Sequence, residues 1–247
     1  MTGQATAGAE LLTCRALVVG HAGAALLPPI DAQLRAGEFW AVIGRNGSGK
    51  TSWLRTMLGL LPPVSGRVQT PNGGIRLSCL PQKSAFDEHY PVLVRDVVSM
   101  GTERGWSFLG RGRRERALEV EQALSEMGVI SLADRPFRQL SEGQKQRVLL
   151  ARVAASRADL AILDEPTSAM DAVAEREAFT LLDGLRKRRG MAVVVVSHYL
   201  GLVQKFADRA LLLDRDTPAI VTGTIDEVFG HDSFRERYGD DACALHP

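Results

Sequence analysis

The hydrophobic and polar positions divide the chain into short apolar runs and one long stretch of mixed polarity. Residues 39–43 (Phe-Trp-Ala-Val-Ile), 160–163 (Leu-Ala-Ile-Leu) and 191–196 (Met, Ala and four Val) carry no charged side chain. Continuous apolar runs of this length predict strands that are buried on both faces, as in a parallel sheet. Further strand-like runs, which include polar or charged residues, stand at residues 11–19, 30–34, 76–80 and 209–213.

A different pattern separates these strands. Between about residues 94 and 157, charged side chains are spaced among Ala, Leu and Val, which predicts helices. An α/β core that is split by a helical insertion accounts for this arrangement. We therefore predict one domain over residues 1–247, and we interpret the stretch after about residue 223 as short and polar. The predicted boundaries are about 1–90 and 158–247 for the core and about 91–157 for the helical subdomain.

Composition narrows the class of protein. The chain has 247 residues, 45% of them hydrophobic, and its formal charge is 30 minus 29, or +1, so no nucleic-acid partner is expected. No stretch approaches the roughly 20 apolar residues of a membrane span, and the N-terminus lacks the regions of a secretory signal. Cys14, Cys79 and Cys243 are few and far apart, so neither a disulfide framework nor a zinc site is indicated. We expect a cytosolic protein whose membrane association comes through a partner.

Residues 44–51 read Gly-Arg-Asn-Gly-Ser-Gly-Lys-Thr and fit the phosphate-binding loop pattern G-x-x-x-x-G-K-[ST]. Glycines let the backbone curl so that several N–H groups face one anion, Lys50 can reach the β- and γ-phosphates, and Thr51 can ligate Mg²⁺. A helix predicted at residues 52–61 would direct its positive end at the phosphates. The chain is thus predicted to bind a nucleoside triphosphate. The predicted contacts are Gly44, Asn46, Gly47, Ser48, Gly49, Lys50, Thr51 and Ser52.

Two carboxylates end the apolar run at residues 160–163. Asp164 and Glu165 stand at the carboxyl end of a predicted buried strand, where α/β sheets place their ligands. Asp164 is suited to hold Mg²⁺, and Glu165 to polarise an attacking water near the γ-phosphate. The alternative is a polar turn that simply ends the strand.

Further segments occur in a specific order. Residues 140–144 (Leu-Ser-Glu-Gly-Gln) stand one predicted helix before the acidic strand, and Asp171 follows that strand. Gln82 and His198 each come just after a predicted strand. With the phosphate loop, this series resembles the ATP-binding subunits of ABC transporters, and the resemblance extends from about residue 11 to residue 239.

The resemblance implies a fold and an assembly. The fold is a P-loop NTPase core with a mostly parallel sheet, an antiparallel β portion at the N-terminus and an inserted helical subdomain. The ligands implied are ATP and Mg²⁺. Two copies would face each other head to tail with two ATP molecules between them, because neither half-site has enough donors for the phosphate charge. Ser141 and Gly143, with Gln144 beside them, would contact the γ-phosphate that the other copy's phosphate loop binds.

The resemblance also implies roles around the γ-phosphate. His198 would hold the γ-phosphate and align water with Glu165. Gln82 would sense both Mg²⁺ and this water, and would couple the site to the helical subdomain. Asp171 would lie at the dimer interface and link the two sites. The metal contacts implied are Thr51, Gln82 and Asp164.

Two positions depart from the usual pattern of that family. Glu142 stands where the common signature has glycine, which places a carboxylate near a polyanion. His21 stands where a tyrosine or phenylalanine usually stacks on the adenine base. An imidazole has less stacking area than a phenol, so base affinity and specificity are expected to be weaker. The alternative is that His21 is an ordinary loop residue.

Shorter segments favour one branch of the family. Residues 81–101, 223–228 and 234–239 resemble ATPase subunits of importers for metal ions and metal chelates, namely the zinc/manganese type and the iron-siderophore, haem and cobalamin type. The partners implied are transmembrane permease subunits and, indirectly, a substrate-binding protein, with the chain peripheral on the inner face of the cell membrane. One alternative is a soluble ABC ATPase, for example in iron–sulfur cluster assembly. Another is a nucleotide switch that barely hydrolyses ATP, against which Glu165 and His198 argue.

Overall fold

The structure is a computed structural model that describes residues 8–71, 74–81, 92–103, 112–167, 170–216 and 219–239. Its strands are β1 Glu10–Val18, β2 Gly20–His21, β3 Ala24–Ala25, β4 Ile30–Arg35, β5 Phe39–Ile43, β6 Ser65–Gln69, β7 Leu77–Leu80, β8 Leu160–Asp164, β9 Ala192–Val196, β10 Arg209–Asp214 and β11 Ala219–Thr224. Its α-helices are α1 Lys50–Met57, α2 Val94–Ser99, α3 Arg113–Glu126, α4 Glu142–Ala155, α5 Ala172–Arg189, α6 Leu200–Phe206, α7 Ile225–Phe229 and α8 Asp232–Tyr238. Short 3₁₀ turns cover Met100–Thr102, Ile130–Leu132 and Phe137–Gln139.

A six-stranded sheet with the order β11-β10-β5-β9-β8-β7 forms the centre of the molecule. All its neighbouring pairs are parallel except β10 with β11. Every residue of β5 and β9 is buried, because helices and a second sheet cover both faces. The strands predicted from uninterrupted apolar runs are confirmed.

The N-terminal strands form a separate antiparallel sheet with the order β4-β1-β6. Residues of β4 alternate strictly between buried and exposed, which is the pattern of a strand with one solvent face. The buried face shares one core with Trp40 of the central sheet and Trp53 of α1. The antiparallel β portion is confirmed, although the sequence did not predict β6.

Helices α2, α3 and α4 pack together, with Val97, Leu124 and Leu150 in their common core. That core is continuous with the face of the central sheet that carries Phe39 and Leu163. The structure therefore has the mostly parallel sheet, the antiparallel N-terminal portion and the packed helices that were expected from the sequence. The boundaries proposed for the core and the helical subdomain remain a prediction.

Two local predictions were wrong. The helix predicted at residues 52–61 is α1, which ends at Met57 because Gly59 adopts a left-handed conformation and the Leu60 N–H bonds to the Arg55 carbonyl at 2.8 Å. The C-terminal stretch, interpreted as short and polar, includes α7 and α8. Phe229 and Phe234 from these helices are buried against the central sheet, with their rings 4.3 Å apart.

Within the described parts of the chain, no helix combines the length and the apolar character that crossing a bilayer requires.

Candidate functional site

The carboxyl ends of four parallel strands meet at one edge of the central sheet. The phosphate loop leaves β5, the acids end β8, His198 follows β9 and Arg215 follows β10. This edge is where parallel α/β sheets place ligands, because connecting loops diverge there and helix N-termini point inward. The sequence motifs that lie far apart along the chain are thus brought to one place.

The phosphate loop needs glycine at two of its positions for steric reasons. A Cβ atom on Gly44 would lie 2.4 Å from the Leu213 carbonyl oxygen and 2.5 Å from Ser48 Oγ. Gly49 has φ +101°, and a Cβ there would lie 2.8 Å from a Leu27 methyl group. Helix α1 begins directly afterwards at Lys50, so its first N–H groups have no intrahelical partner. The loop therefore forms a tight backbone turn at a positive helix end.

Lys50 lies under this turn and is only 7% exposed. Its Nζ donates to the Gly44 carbonyl at 2.7 Å and to the Arg45 carbonyl at 3.0 Å. Burial lowers the pKa of Lys50 below its usual value, while the charges of Glu165 and Asp164 oppose that shift. A buried ammonium facing two carboxylates is well placed to gain from an added anion.

Ser48 provides the test of whether the loop fits a phosphate. Its hydroxyl is buried and, among the residues described, has no hydrogen-bond partner. Buried polar groups are almost always satisfied, so an unmatched hydroxyl inside a loop of this shape indicates a ligand that supplies the partner. Together with the two glycines and Lys50, it fits the phosphates of a nucleotide.

Asp164 and Thr51 form a small oxygen-lined corner of the site. The Thr51 hydroxyl is 3.4 Å from Asp164 Oδ2, to which it donates. Burial raises the pKa of Asp164, and the neighbouring Glu165 charge raises it further. A hydroxyl and a carboxylate are hard oxygen donors of the kind Mg²⁺ prefers, so this pair fits that ion.

Glu165 and His198 are in direct contact. His198 Nε2 lies 2.8 Å from Glu165 Oε1, and the imidazole is about half exposed. The Glu165 backbone has φ +50°, and its N–H bonds to the Val196 carbonyl at 3.1 Å. Residues other than glycine rarely adopt this left-handed conformation, and where they do it often accompanies function. It turns the side chain of the second acid toward the strand that carries His198.

An open cleft of about 500 Å³ lies over these groups. His21 closes one side, with Nε2 3.1 Å from Ser52 Oγ. Leu26 and Arg215 also line the cleft, and the sequence interpretation missed both. Arg215 follows a strand predicted at residues 209–213, so its place at the carboxyl edge was the available signal. The cleft is lined by His21, Leu26, Asn46, Gly47, Gly49, Lys50, Thr51, Ser52, Asp164, Glu165 and Arg215.

Residues 140–144, which we call the signature segment, lie outside this cleft. Ser141 caps α4: its Oγ accepts the Gln144 N–H at 3.3 Å, and the Gln144 side chain accepts the Ser141 N–H at 3.1 Å. Glu142 pairs with Lys145 at 2.6 Å, and the space a Cβ on Gly143 would take is open. Within the described chain, none of these residues lines the cleft.

Of the two remaining predicted site residues, the structure describes Asp171 but not Gln82. Asp171 caps α5, its Oδ1 accepting the Ala174 N–H at 2.8 Å. Gln82, together with residues 83–91, 168 and 169 and Cys243, lies outside the described residues. Among the described residues, no group of three or more His, Cys, Asp or Glu side chains could hold a metal ion.

Known proteins are similar to this chain in sequence and in fold. A family model described as "ABC transporter" matches residues 27–168. The zinc transport system ATP-binding protein TroB of Treponema pallidum is 38% identical over 217 residues, covering 85% of this chain and 80% of that protein. The zinc import ATP-binding protein ZnuC of Magnetococcus marinus is 35% identical, covering 94% of this chain and 84% of that protein.

Solved structures agree. An ABC transporter described as of the metal-chelate type, in an inward-facing conformation, aligns with TM-score 0.79 and 29% identity over 87% of this chain and 84% of its own. A nucleotide-free ATP-binding cassette aligns with TM-score 0.78 over 93% of this chain and 98% of its own, at 19% identity, which supports the fold. The chain therefore has the α/β ABC ATPase fold predicted from the sequence, it is an ATPase, and it belongs to the ABC transporter family.

Proposed function

We propose that this chain is the ATP-hydrolysing subunit of a membrane importer for a divalent transition metal of the zinc class. The observation that carries the choice of cargo is the 38% identity, over 85% of the chain, to a protein named for zinc transport. The cargo would pass through the permease and would not contact this chain. The lack of a metal-binding cluster among the described residues is compatible with that division of work.

The cleft supports a division of roles around ATP. Lys50, Ser48 and the N–H groups at the start of α1 would hold the phosphates, since they combine a buried cation with unused donors. Thr51 and Asp164 would hold Mg²⁺, with Gln82 as a further contact proposed from the resemblance alone. The ion, when bound, neutralises charge on the phosphoryl group being transferred.

Glu165 and His198 would act on the water. The Glu165 carboxylate would accept the proton of the attacking water, and its half-buried position beside Asp164 keeps it close to the phosphate loop. His198 would orient Glu165 through their 2.8 Å contact and would hold the γ-phosphate. This pairing supports hydrolysis over the alternative of a nucleotide switch.

A head-to-tail homodimer would complete the site. Ser141, Gly143 and Gln144 lie outside the cleft of their own chain, with open space over Gly143 and a helix N-terminus beside it. A phosphate offered by a second copy would find donors there. Asp171 would lie near the same interface at the start of α5.

A groove of about 680 Å³ on the helical part is our candidate for the permease contact. Val120, Leu124 and Ile130 form an apolar floor, and Arg95 and Glu121 are among the charges at its rim. An amphipathic helix on the cytoplasmic side of a permease fits this combination, with apolar anchors in the groove and polar residues outside. The chain would then be peripheral on the inner face of the cell membrane.

Co-purification tests the proposed function. Tagged Glu165→Gln protein is purified with ATP from detergent-solubilised host membranes, and its partners are identified by mass spectrometry. Lys50→Met is the matched variant, which should not form the ATP-bound dimer. We expect a multi-spanning permease, whose binding protein is then titrated with zinc, manganese, haem and a siderophore. Recovery of soluble partners alone would instead favour the iron–sulfur cluster class.

The weaker stacking on adenine that is expected of His21 leads to a separate prediction. His21→Tyr is expected to lower the Kd for ATP about two- to tenfold, because stacking on the larger ring contributes about 0.5–1.5 kcal/mol. The measurement is competition against a fluorescent ATP analogue. Tripolyphosphate has no base and serves as the control, with the same Kd for both proteins. Equal gains for ATP and tripolyphosphate would show that the residue acts through Ser52 and not through the base.

A further inference from the structure

The last described helix reaches back to the turn that follows β10. Arg237 of α8 donates to Asp214 Oδ2 through Nε at 2.8 Å and to Asp214 Oδ1 through Nη2 at 2.6 Å. Asp214 is the final residue of β10 and is 7% exposed. A bidentate ion pair of this kind fixes orientation as well as distance, and it is stronger than neutral hydrogen bonds. The pair therefore ties α8 to the end of the strand.

Helix α8, which carries Arg237, is held in place by aromatic packing. Phe234 is fully buried, and its ring lies 4.3 Å from that of Phe229 and 4.8 Å from that of Tyr238. The same cluster includes Ile43 of β5 and Leu212 of β10. Arg237 thus projects from a helix that is packed against the two strands flanking the start of the phosphate loop.

The end of β10 is also a wall of the nucleotide site. Leu212 pairs in parallel with Ile43, and the close approach at Gly44 is made to the carbonyl of Leu213. Arg215, the next residue after β10, lines the cleft. A shift of this strand end would therefore move one wall of the cleft and the first residue of the loop together.

A second set of contacts extends the link from the strand end to the loop. Asp214 Oδ1 accepts the Asp216 N–H at 3.0 Å, which holds the turn closed. The Asp216 carboxylate lies 3.3 Å from Arg237 Nη2 and 3.9 Å from Arg45 Nη1, and Arg45 belongs to the phosphate loop. The contact between Arg45 and Asp216 is exposed and contributes little by itself. The buried pair of Arg237 with Asp214 is therefore the main restraint.

We propose that Arg237 is a positioning residue for the nucleotide cleft: by holding residues 214–216, it keeps Arg215 and the start of the phosphate loop in the arrangement that receives a triphosphate. The inference rests on the proposed function for the identity of the ligand. Asp164, Glu165 and His198 lie at or just after the ends of other strands, so the chemical step should be largely independent of this restraint. Loss of Arg237 should raise Kd and KM for ATP and leave kcat nearly unchanged.

The test compares Arg237→Gln with Arg235→Gln, a matched control on the exposed side of the same helix. Kd is measured on the full chain with a fluorescent ATP analogue, and KM and kcat by phosphate release. We expect Kd and KM about 2- to 30-fold higher for Arg237→Gln and unchanged for the control. Arg237→Lys keeps the positive charge but cannot form the bidentate pair, and it should recover part of the affinity for ATP.

A folding defect must be separated from a positioning effect, because Arg237→Gln removes the positive charge beside the buried Asp214 carboxylate. The double variant Asp214→Asn with Arg237→Gln removes that charge and keeps an acceptor for the Asp216 N–H. We expect its unfolding temperature to be near that of the wild type and its Kd for ATP to remain raised. Wild-type Kd in either folded variant, or a loss confined to kcat, would overturn the inference. Neither result would affect the proposed function, which fails only if the wild type does not hydrolyse ATP or has no permease.

Discussion

Glu165→Gln is expected to lower kcat for ATP hydrolysis by about 10²- to 10⁴-fold while changing the Kd for ATP by less than about threefold. Glutamine has nearly the same size and keeps an oxygen that can meet His198 Nε2, now 2.8 Å from Glu165 Oε1. It cannot accept a proton at neutral pH. Only the step that activates water is lost, so ATP should accumulate in the bound state.

Both ATP binding and ATP turnover must be measured to compare Glu165→Gln with the wild type. Phosphate release gives kcat, a fluorescent ATP analogue gives Kd, and size-exclusion chromatography with ATP reports whether a dimer is retained. Glu236→Gln makes the same chemical change on the exposed face of α8 and should behave as the wild type. Turnover of Glu165→Gln at the wild-type rate would show that another group activates the water.

The apolar runs were sufficient to predict the centre of the sheet. Residues 39–43 and 192–196 are buried along their whole length, so their side chains had to be uniformly apolar, and that uniformity is visible without a structure. The strand β11 was not visible in this way, because it lies at the edge of the sheet and most of its residues are only half-buried. Periodicity arguments are weakest where burial is partial.

The chemical motifs were also largely predictable, because most candidate positions follow a strong local signal. Gly44, Lys50 and Asp164 are marked by strand-loop-helix or strand-acid patterns, and the structure brings them to one edge. Arg215 is marked only by its place after a predicted strand, and Arg237 by no local pattern. Their positions depend on β10 lying beside β5 and on α8 folding back over it, which are contacts between distant parts of the chain.

The signature segment shows a different limit. Ser141 and Gly143 were predicted as ATP contacts, yet they lie outside the cleft of their own chain, with the Ser141 hydroxyl engaged in capping α4. One chain can show that the helix start is accessible and that Gly143 is open. The composite site therefore remains a proposal about two copies.

Lys50→Met is expected to weaken ATP binding by about 10²- to 10³-fold, with a matching loss of turnover. The variant keeps the aliphatic stem in its buried place and removes only the ammonium, which now donates to the Gly44 and Arg45 carbonyls. Since burial disfavours that charge and lowers its pKa, the fold should tolerate methionine, with an unfolding temperature no lower than that of the wild type. Loss of binding without loss of folding would identify Lys50 as a ligand contact.

The pH dependence of ATP binding separates this role from a merely structural one. Burial lowers the pKa of free Lys50, and a bound triphosphate, which adds negative charge beside the ammonium, should raise it again. The affinity due to Lys50 is then fully present below the pKa of the free protein and declines as the pH rises through it. We expect Kd for ATP, measured from neutral to alkaline pH, to increase for the wild type and to stay flat for Lys50→Met. Parallel curves for the two proteins would contradict direct contact, because a lysine that only braces the loop gains no proton affinity from the nucleotide.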